Sequence, residues 1–244
     1  MSIYSQYRST VHFCRFVERH ISEAPISIVQ VSAREGKDLA YIVREFPEAS
    51  VVGMEASSER AAIARDYCES REIGPVSIVE NDWRMLNDRF SKKFDGVMSL
   101  YDLSEVPSIE AGMERLCSLA KEWIAASVLL WQGTHDFIIL ACPVPVEPGS
   151  NPDGAVGVHY NIYSLQTLSE SFRRNGFGDF SAEPFEIDVD IQRPEVPRLG
   201  TYTERTCDGR RLQVSGPLLM PWWFVFARRS EVPPLKGTDI GTGA

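Results

Sequence analysis

The sequence has no uninterrupted run of eighteen apolar residues, no C-x-x-C pair and no surplus of positive charge. Each lack excludes something. Without such a run no membrane span is expected, and the longest apolar stretch, "WIAASVLLW", is internal and too short. The opening "MSIYSQYRST" lacks the charged-then-apolar order of a secretory leader. The five cysteines, Cys14, Cys68, Cys117, Cys142 and Cys207, are odd in number and scattered. They fit neither a disulfide framework nor a zinc knuckle, so a reducing cytoplasm is the expected setting. With 34 acidic against 25 basic residues the net charge is −9, and a nucleic-acid partner is not expected. Asp102, Asp136 and His159 form no metal-ligand spacing, so no metal is expected.

What is present is an alternation of short apolar runs and helical patterns. A helix is expected over 5–21, with its apolar residues largely on one stripe. "ISIVQV" (26–31), "SVVGME" (50–55), "VSIVEN" (76–81) and "FDGVMSL" (94–100) read as buried strands. Between them, 37–46 and 58–71 have helical spacing, the second capped by Ser57 or Ser58. A further helix is expected over 108–123, and a fifth strand over 136–144, ended by Pro143 and Pro145. A helix over 164–177 stops at Gly176, and 184–191 alternates like a strand. "TYTERTCDGRRLQVS" has the form of a hairpin around Asp208-Gly209, and 221–229 is expected as a last, antiparallel strand. The pattern predicts an α/β fold: a seven-stranded, mostly parallel, Rossmann-like sheet with helices on both faces. One domain over 1–230 is expected, with a disordered Pro/Gly-rich tail over 231–244.

In such sheets ligands bind beyond the carboxyl ends of the strands. The turn after the first strand, Ser32-Ala33-Arg34-Glu35-Gly36, contains a single glycine. Glu55 closes the second strand, with Ala56 following, and a carboxylate there can accept both ribose hydroxyls of an adenosine. Asp82 closes the third strand, where its oxygen can take an adenine amino group and Trp83 can lie on the ring. Tyr101 and Asp102, at the end of the fourth, face the other end of the ligand.

Residues 26–102 resemble a class I S-adenosylmethionine (SAM)-dependent methyltransferase. The glycine-rich first motif of that family falls in frame on Gln30, Ser32, Arg34 and Gly36, with Gln30 in place of the acid and two of three glycines lost. The acids closing the second and third strands match at Glu55 and Asp82, and "FDGVMSL" resembles the fourth strand. "YSLQTLSESFRRNGFGDF" resembles the family's late helix and strand, and the closing segment its final hairpin. The resemblance implies S-adenosyl-L-methionine as cofactor. A dinucleotide's pyrophosphate wants a G-x-G-x-x-G turn, whereas SAM carries no phosphate. Its tail carboxylate can be held by Arg34 and its ammonium by Glu35.

The resulting expectation is methyl transfer to a small polar molecule or a sugar, on oxygen, with His159 as first candidate base and His135 as second. The N-terminal helix would lie over the cofactor pocket. The loop 143–163 and the hairpin 201–215 would form the acceptor side, with 143–157 as a lid. Two alternatives stay open. One is another nucleotide-cofactor enzyme; the other is a non-catalytic relative acting as a binding or assembly subunit, marked by a large apolar patch on the last strand and hairpin. The oligomeric state has no signature in the sequence.

Overall fold

A computed structural model describes residues 3–86, 88–142, 157–195 and 200–230, with side chains from Arg8 onward. The expected lid over 143–157 lies almost wholly outside the described residues, and the tail 231–244 wholly so. The main sheet has strands β1 (Ser27–Val31), β2 (Ser50–Glu55), β3 (Val76–Glu80), β4 (Phe94–Leu100), β5 (Ala120–Trp131), β6 (Phe177–Pro184) and β7 (Trp222–Arg229). Their order across the sheet is β3-β2-β1-β4-β5-β7-β6. β1 to β5 pair in parallel, while β7 runs antiparallel to both β5 and β6. The two-residue strand Tyr163–Ser164 pairs with the end of β5.

The sheet's alternation divides the core in two. On β7, Phe224 and Phe226 face one cluster, and Val225 and Ala227 the other. The first face is covered by α1 (Ile3–His20), α2 (Leu39–Glu45) and α3 (Ser58–Ser70), whose Phe13, Phe16, Leu39, Ile42 and Cys68 are buried against it. The second is covered by α4 (Ile109–Leu119) and α5 (Leu165–Arg174), through Met113, Leu116, Leu168 and Phe172. Burying each such side chain contributes roughly 1.5–3 kcal/mol. α3 starts where Ser57 Oγ accepts from Arg60 N at 3.3 Å, one of the two caps expected.

Two strand assignments are corrected. The fifth strand is Ala120–Trp131, not 136–144. β5 lies between β4 and β7 with both faces covered, so it shows a continuous apolar run instead of alternation, and its start reads as more of α4. In the described part of the 136–144 segment, Phe137, Ile138 and Leu140 are exposed, and pairing is limited to Leu140–Ala141 with Val158–His159 and a single bridge between Phe137 and Ile162. The sixth strand is Phe177–Pro184, one step earlier than 184–191. Ile187 and Ile191 instead turn down onto Tyr202 in a small separate cluster. The hairpin forms as expected, Thr201–Arg205 against Arg211–Ser215, with Gly209 at φ +84°.

Candidate functional site

Strand order reverses between β1 and β4, and the turns following β1, β2, β3 and β4 open around one cleft of about 900 Å³. Ligands of open parallel sheets collect at this place, because the first turns on either side diverge. Seven of the residues singled out from the sequence line it: Ser32, Arg34, Glu35, Glu55, Ala56, Trp83 and Asp102. Gln30, Gly36 and Asp82 do not line it. Tyr101 lines an adjoining cavity of about 240 Å³, which shares Arg34 and Glu105 with the first.

The loop after β1 carries the main finding. Ser32, Arg34 and Gly36 have φ of 51°, 55° and 77°, all left-handed. These are the three positions at which the first motif's glycines fall in frame. The backbone keeps a glycine loop's shape without most of the glycines, at a cost of about 1–2 kcal/mol for each side-chain-bearing residue. Contacts hold it there. Ala33 N donates to Met54 O at 2.7 Å, and Trp83 Nε1 donates to Ser32 Oγ at 3.2 Å. Glu55 Oε2 accepts from Arg34 N at 2.8 Å, while Oε1 accepts from Ser57 N at 3.0 Å. Gly36 has a reason of its own: a Cβ there would approach Ala64 of α3 to 3.1 Å.

Gln30, at the end of β1, hydrogen-bonds the carboxylate of Asp38 in the cleft wall, and its Oε1 is buried with no partner. An acid, eight residues later in the chain, thus stands beside the Gln30 side chain. Asp38 also accepts from Thr10 Oγ1 of α1 at 2.6 Å, and Ser9 Oγ lies 2.6 Å from the Tyr101 hydroxyl. Through these bonds the N-terminal helix adjoins the site, although none of its described side chains lines either cavity. Asp82 is committed to Arg84, which it meets through both oxygens, at 2.9 and 2.8 Å; Arg84, not Asp82, faces the cleft.

The Arg34 guanidinium lies 5.5 Å from the Tyr101 ring centroid and 3.8 Å from Glu105 Oε1. Glu35 pairs with Lys37. Asp102, which follows β4, is 6% exposed and lines the cleft. Ser99 Oγ donates to its Oδ2 at 3.1 Å, and Ser32 hydrogen-bonds it too. Burial pushes the Asp102 carboxyl up to about 7; Glu105 adds to the rise, and Arg34 and the two serines oppose it. Tyr101 itself is held at φ 80°, a left-handed strain at the junction of the two cavities.

His159 and His135 line neither cavity. His159 lies on the short strand beside Leu140, and His135 sits in an exposed turn whose carbonyl accepts from Trp131 Nε1. Of the other carboxylates that face the cleft, Asp102 is the one expected from sequence to face the ligand, whereas Asp38, Glu59 and Glu105 were given no role, since no spacing rule singles them out. The signal for Asp102 was its place directly after a strand, β4, that is buried throughout. Among the described residues no group of three or more acidic, histidine or cysteine side chains could hold a metal.

No family model matches the sequence, and no curated protein does. Solved structures do match in fold. One is the Burkholderia thailandensis 1,6-didemethyltoxoflavin-N1-methyltransferase, solved with 1,6-didemethyltoxoflavin and S-adenosylhomocysteine. It is 14% identical, with a TM-score of 0.56, over 92% of this chain and 80% of that one. A second is the magnesium protoporphyrin IX methyltransferase of Synechocystis PCC 6803 with bound SAM: 15% identity, TM-score 0.54, 92% and 80% coverage. A third, the [4+2]-cyclase SpnF, matches 71% of this chain and 60% of its own at 17% identity and a TM-score of 0.53. The strand order, the single antiparallel strand and these likenesses agree, and the chain has the Rossmann-like fold of the class I SAM-dependent methyltransferases.

Proposed function

We propose that the protein is a SAM-dependent methyltransferase acting on a small molecule, with oxygen as the methylated atom. The observation that carries this reading is the left-handed triplet Ser32, Arg34 and Gly36 set beside Glu55 at the cleft. A loop without a ligand to cradle has no evident reason to hold two side-chain-bearing residues in that conformation.

The chemistry of the donor set fits the cofactor. The cleft wall carries six carboxylates (Glu35, Asp38, Glu55, Glu59, Asp102 and Glu105) against four cations (Arg34, Lys37, Arg60 and Arg84). That balance favours a ligand of net positive charge and disfavours a pyrophosphate, which counts against a nicotinamide enzyme. Glu55 and Trp83 would hold the nucleoside end. The orphaned Gln30 Oε1 and the Asp38 carboxylate suit an ammonium group. When bound, S-adenosyl-L-methionine supplies an electrophilic methyl group on a positively charged sulfur.

The chain's own residues then have two tasks. The first is alignment with exclusion of water, which the narrow second cavity serves. The second is removal of the acceptor's hydroxyl proton. Asp102 is the base for this: its raised carboxyl titrates near neutrality, where proton transfer is best matched. Ser99 and Ser32 fix its oxygens, and Arg34 stabilises its ionised form. Asp102 thus takes the role assigned from sequence to His159 and His135.

Calorimetric titration with SAM and with its demethylated product, S-adenosylhomocysteine, tests the reading. Both should bind, and Glu55→Gln should weaken both by about tenfold or more (about 1.4 kcal/mol). Asp102→Asn should leave product binding within a few-fold and cut turnover by about two orders of magnitude. A protein that binds neither compound has lost cofactor chemistry and is the non-catalytic relative. The apolar residues such a relative would need are exposed at Phe137, Ile138, Leu140 and Val158, and at Leu219 beside the hairpin.

A further inference from the structure

The second cavity specifies an acceptor class. At about 240 Å³ it is smaller than the roughly 300–1,000 Å³ of drug-sized sites. It exceeds the roughly 150 Å³ that accommodates one benzene ring. One or two fused rings fill it. Its walls are aromatic and aliphatic. Trp222 of β7 and Tyr101 meet edge to face, with centroids 4.9 Å apart and planes at 76°, forming a corner. Leu129, Met220 and Tyr160 complete the apolar surround.

The polar groups in these walls are largely engaged elsewhere. Ser104 Oγ accepts from Leu129 N at 2.8 Å, and Ser215 Oγ accepts from Gly200 N at 3.2 Å while also bonding the Tyr160 hydroxyl. A sugar brings several hydroxyls, and each one buried without a partner costs about 1–3 kcal/mol. This cavity cannot satisfy a set of them. A planar ring needs only faces and edges, which Trp222 and Tyr101 provide. The ionic groups are confined to the boundary with the first cavity, where Arg34 and Glu105 line both spaces. A single ring hydroxyl directed to that boundary reaches the carboxylates, and the rest of the ring stays in the apolar part.

We infer that the acceptor is a small phenol-type aromatic, one or two rings bearing a hydroxyl, seated between Trp222 and Tyr160 with its oxygen toward Glu105 and Asp102. The inference rests on the methyl-transfer reading for its chemistry, but the cavity can be tested separately. The experiment titrates the full-length protein, saturated with S-adenosylhomocysteine, with 2-naphthol, with naphthalene and with methyl glucoside. The expected result is saturable binding of 2-naphthol, at least tenfold weaker binding of naphthalene, and none of methyl glucoside. Trp222→Ala and Tyr160→Ala should each weaken 2-naphthol by about tenfold and leave S-adenosylhomocysteine affinity unchanged. If Trp222→Ala loses S-adenosylhomocysteine as well, the fold has suffered and Tyr160→Ala decides. Binding of S-adenosylhomocysteine with no binding of 2-naphthol, or with a preference for methyl glucoside, overturns the aromatic assignment and leaves methyl transfer standing. Binding of 2-naphthol without S-adenosylhomocysteine sinks methyl transfer and keeps the cavity's ligand class.

Discussion

Ser32 combines a left-handed backbone with a hydroxyl that accepts from Trp83 and bonds Asp102. The two properties can be separated by mutation. Ser32→Gly and Ser32→Ala both delete the hydroxyl, but only glycine relieves the strain. The glycine variant should therefore be more stable than the alanine variant by about 1 kcal/mol, read as a difference in urea midpoint. Equal stabilities would mean that the loop is not strained. Asp102 gives a second residue-scale expectation. Its native carboxyl keeps its proton up to about 7, whereas the unfolded chain releases it near the ordinary 3.8. Between those values the native state holds more protons, so this group's contribution to stability is lost as pH rises through that window. Urea unfolding at several pH values should show that decline in the wild type and a flatter profile in Asp102→Asn. If Asp102 is the base, turnover should rise over the upper part of the same window.

At the scale of elements, α1 joins the core to the site. Phe16 is buried, with its ring centroid 5.8 Å from that of Phe224, and Ser9 and Thr10 on the same helix hold Tyr101 and Asp38. Phe16→Ala should cost about 3–5 kcal/mol in chemical denaturation and should weaken cofactor binding although Phe16 lines neither cavity. Elements also mark where the sequence could and could not be read. β1, β2, β3 and β4 were legible because each is short, apolar and bounded by helical patterns. β5 was not, because a strand covered on both faces loses its period of two and abuts α4 without a break. The exposed stretch 137–140 is as apolar as a strand, and burial is not written in composition. The same distinction applies to the site. Glu55 was legible from its place at a strand end, but Asp38 was not, since its role depends on Gln30 and Thr10 arriving from other parts of the chain.

For the whole molecule, the balance of charge matters more than any one pair. The net charge is −9, and acids predominate in the cleft wall as well. Entry of a cationic cofactor should be favoured by that field and should slow as ionic strength rises, whereas an uncharged aromatic acceptor should be nearly indifferent to salt. Stopped-flow association of each at low and high salt separates the two. Thermal stability should follow the same ligand: at a hundredfold excess over its dissociation constant, S-adenosylhomocysteine should add about 2.7 kcal/mol. The likeness to SpnF shows that this fold also hosts a protein described as a cyclase, so the architecture leaves the reaction open and the cleft's chemistry has to decide it.

Phe13 and Phe16, near the start of the chain, rest on Phe224, near its end. During synthesis the first helix emerges early and can meet α2, but this part of its floor is missing until the strand Trp222–Arg229 has left the ribosome. A nascent chain stalled ahead of Trp222 would lack both that floor and one wall of the acceptor cavity, so competence for either ligand should arrive late and all at once. Ribosome-bound chains of graded length, challenged with S-adenosylhomocysteine, should show no protection against protease until the last strand is exposed.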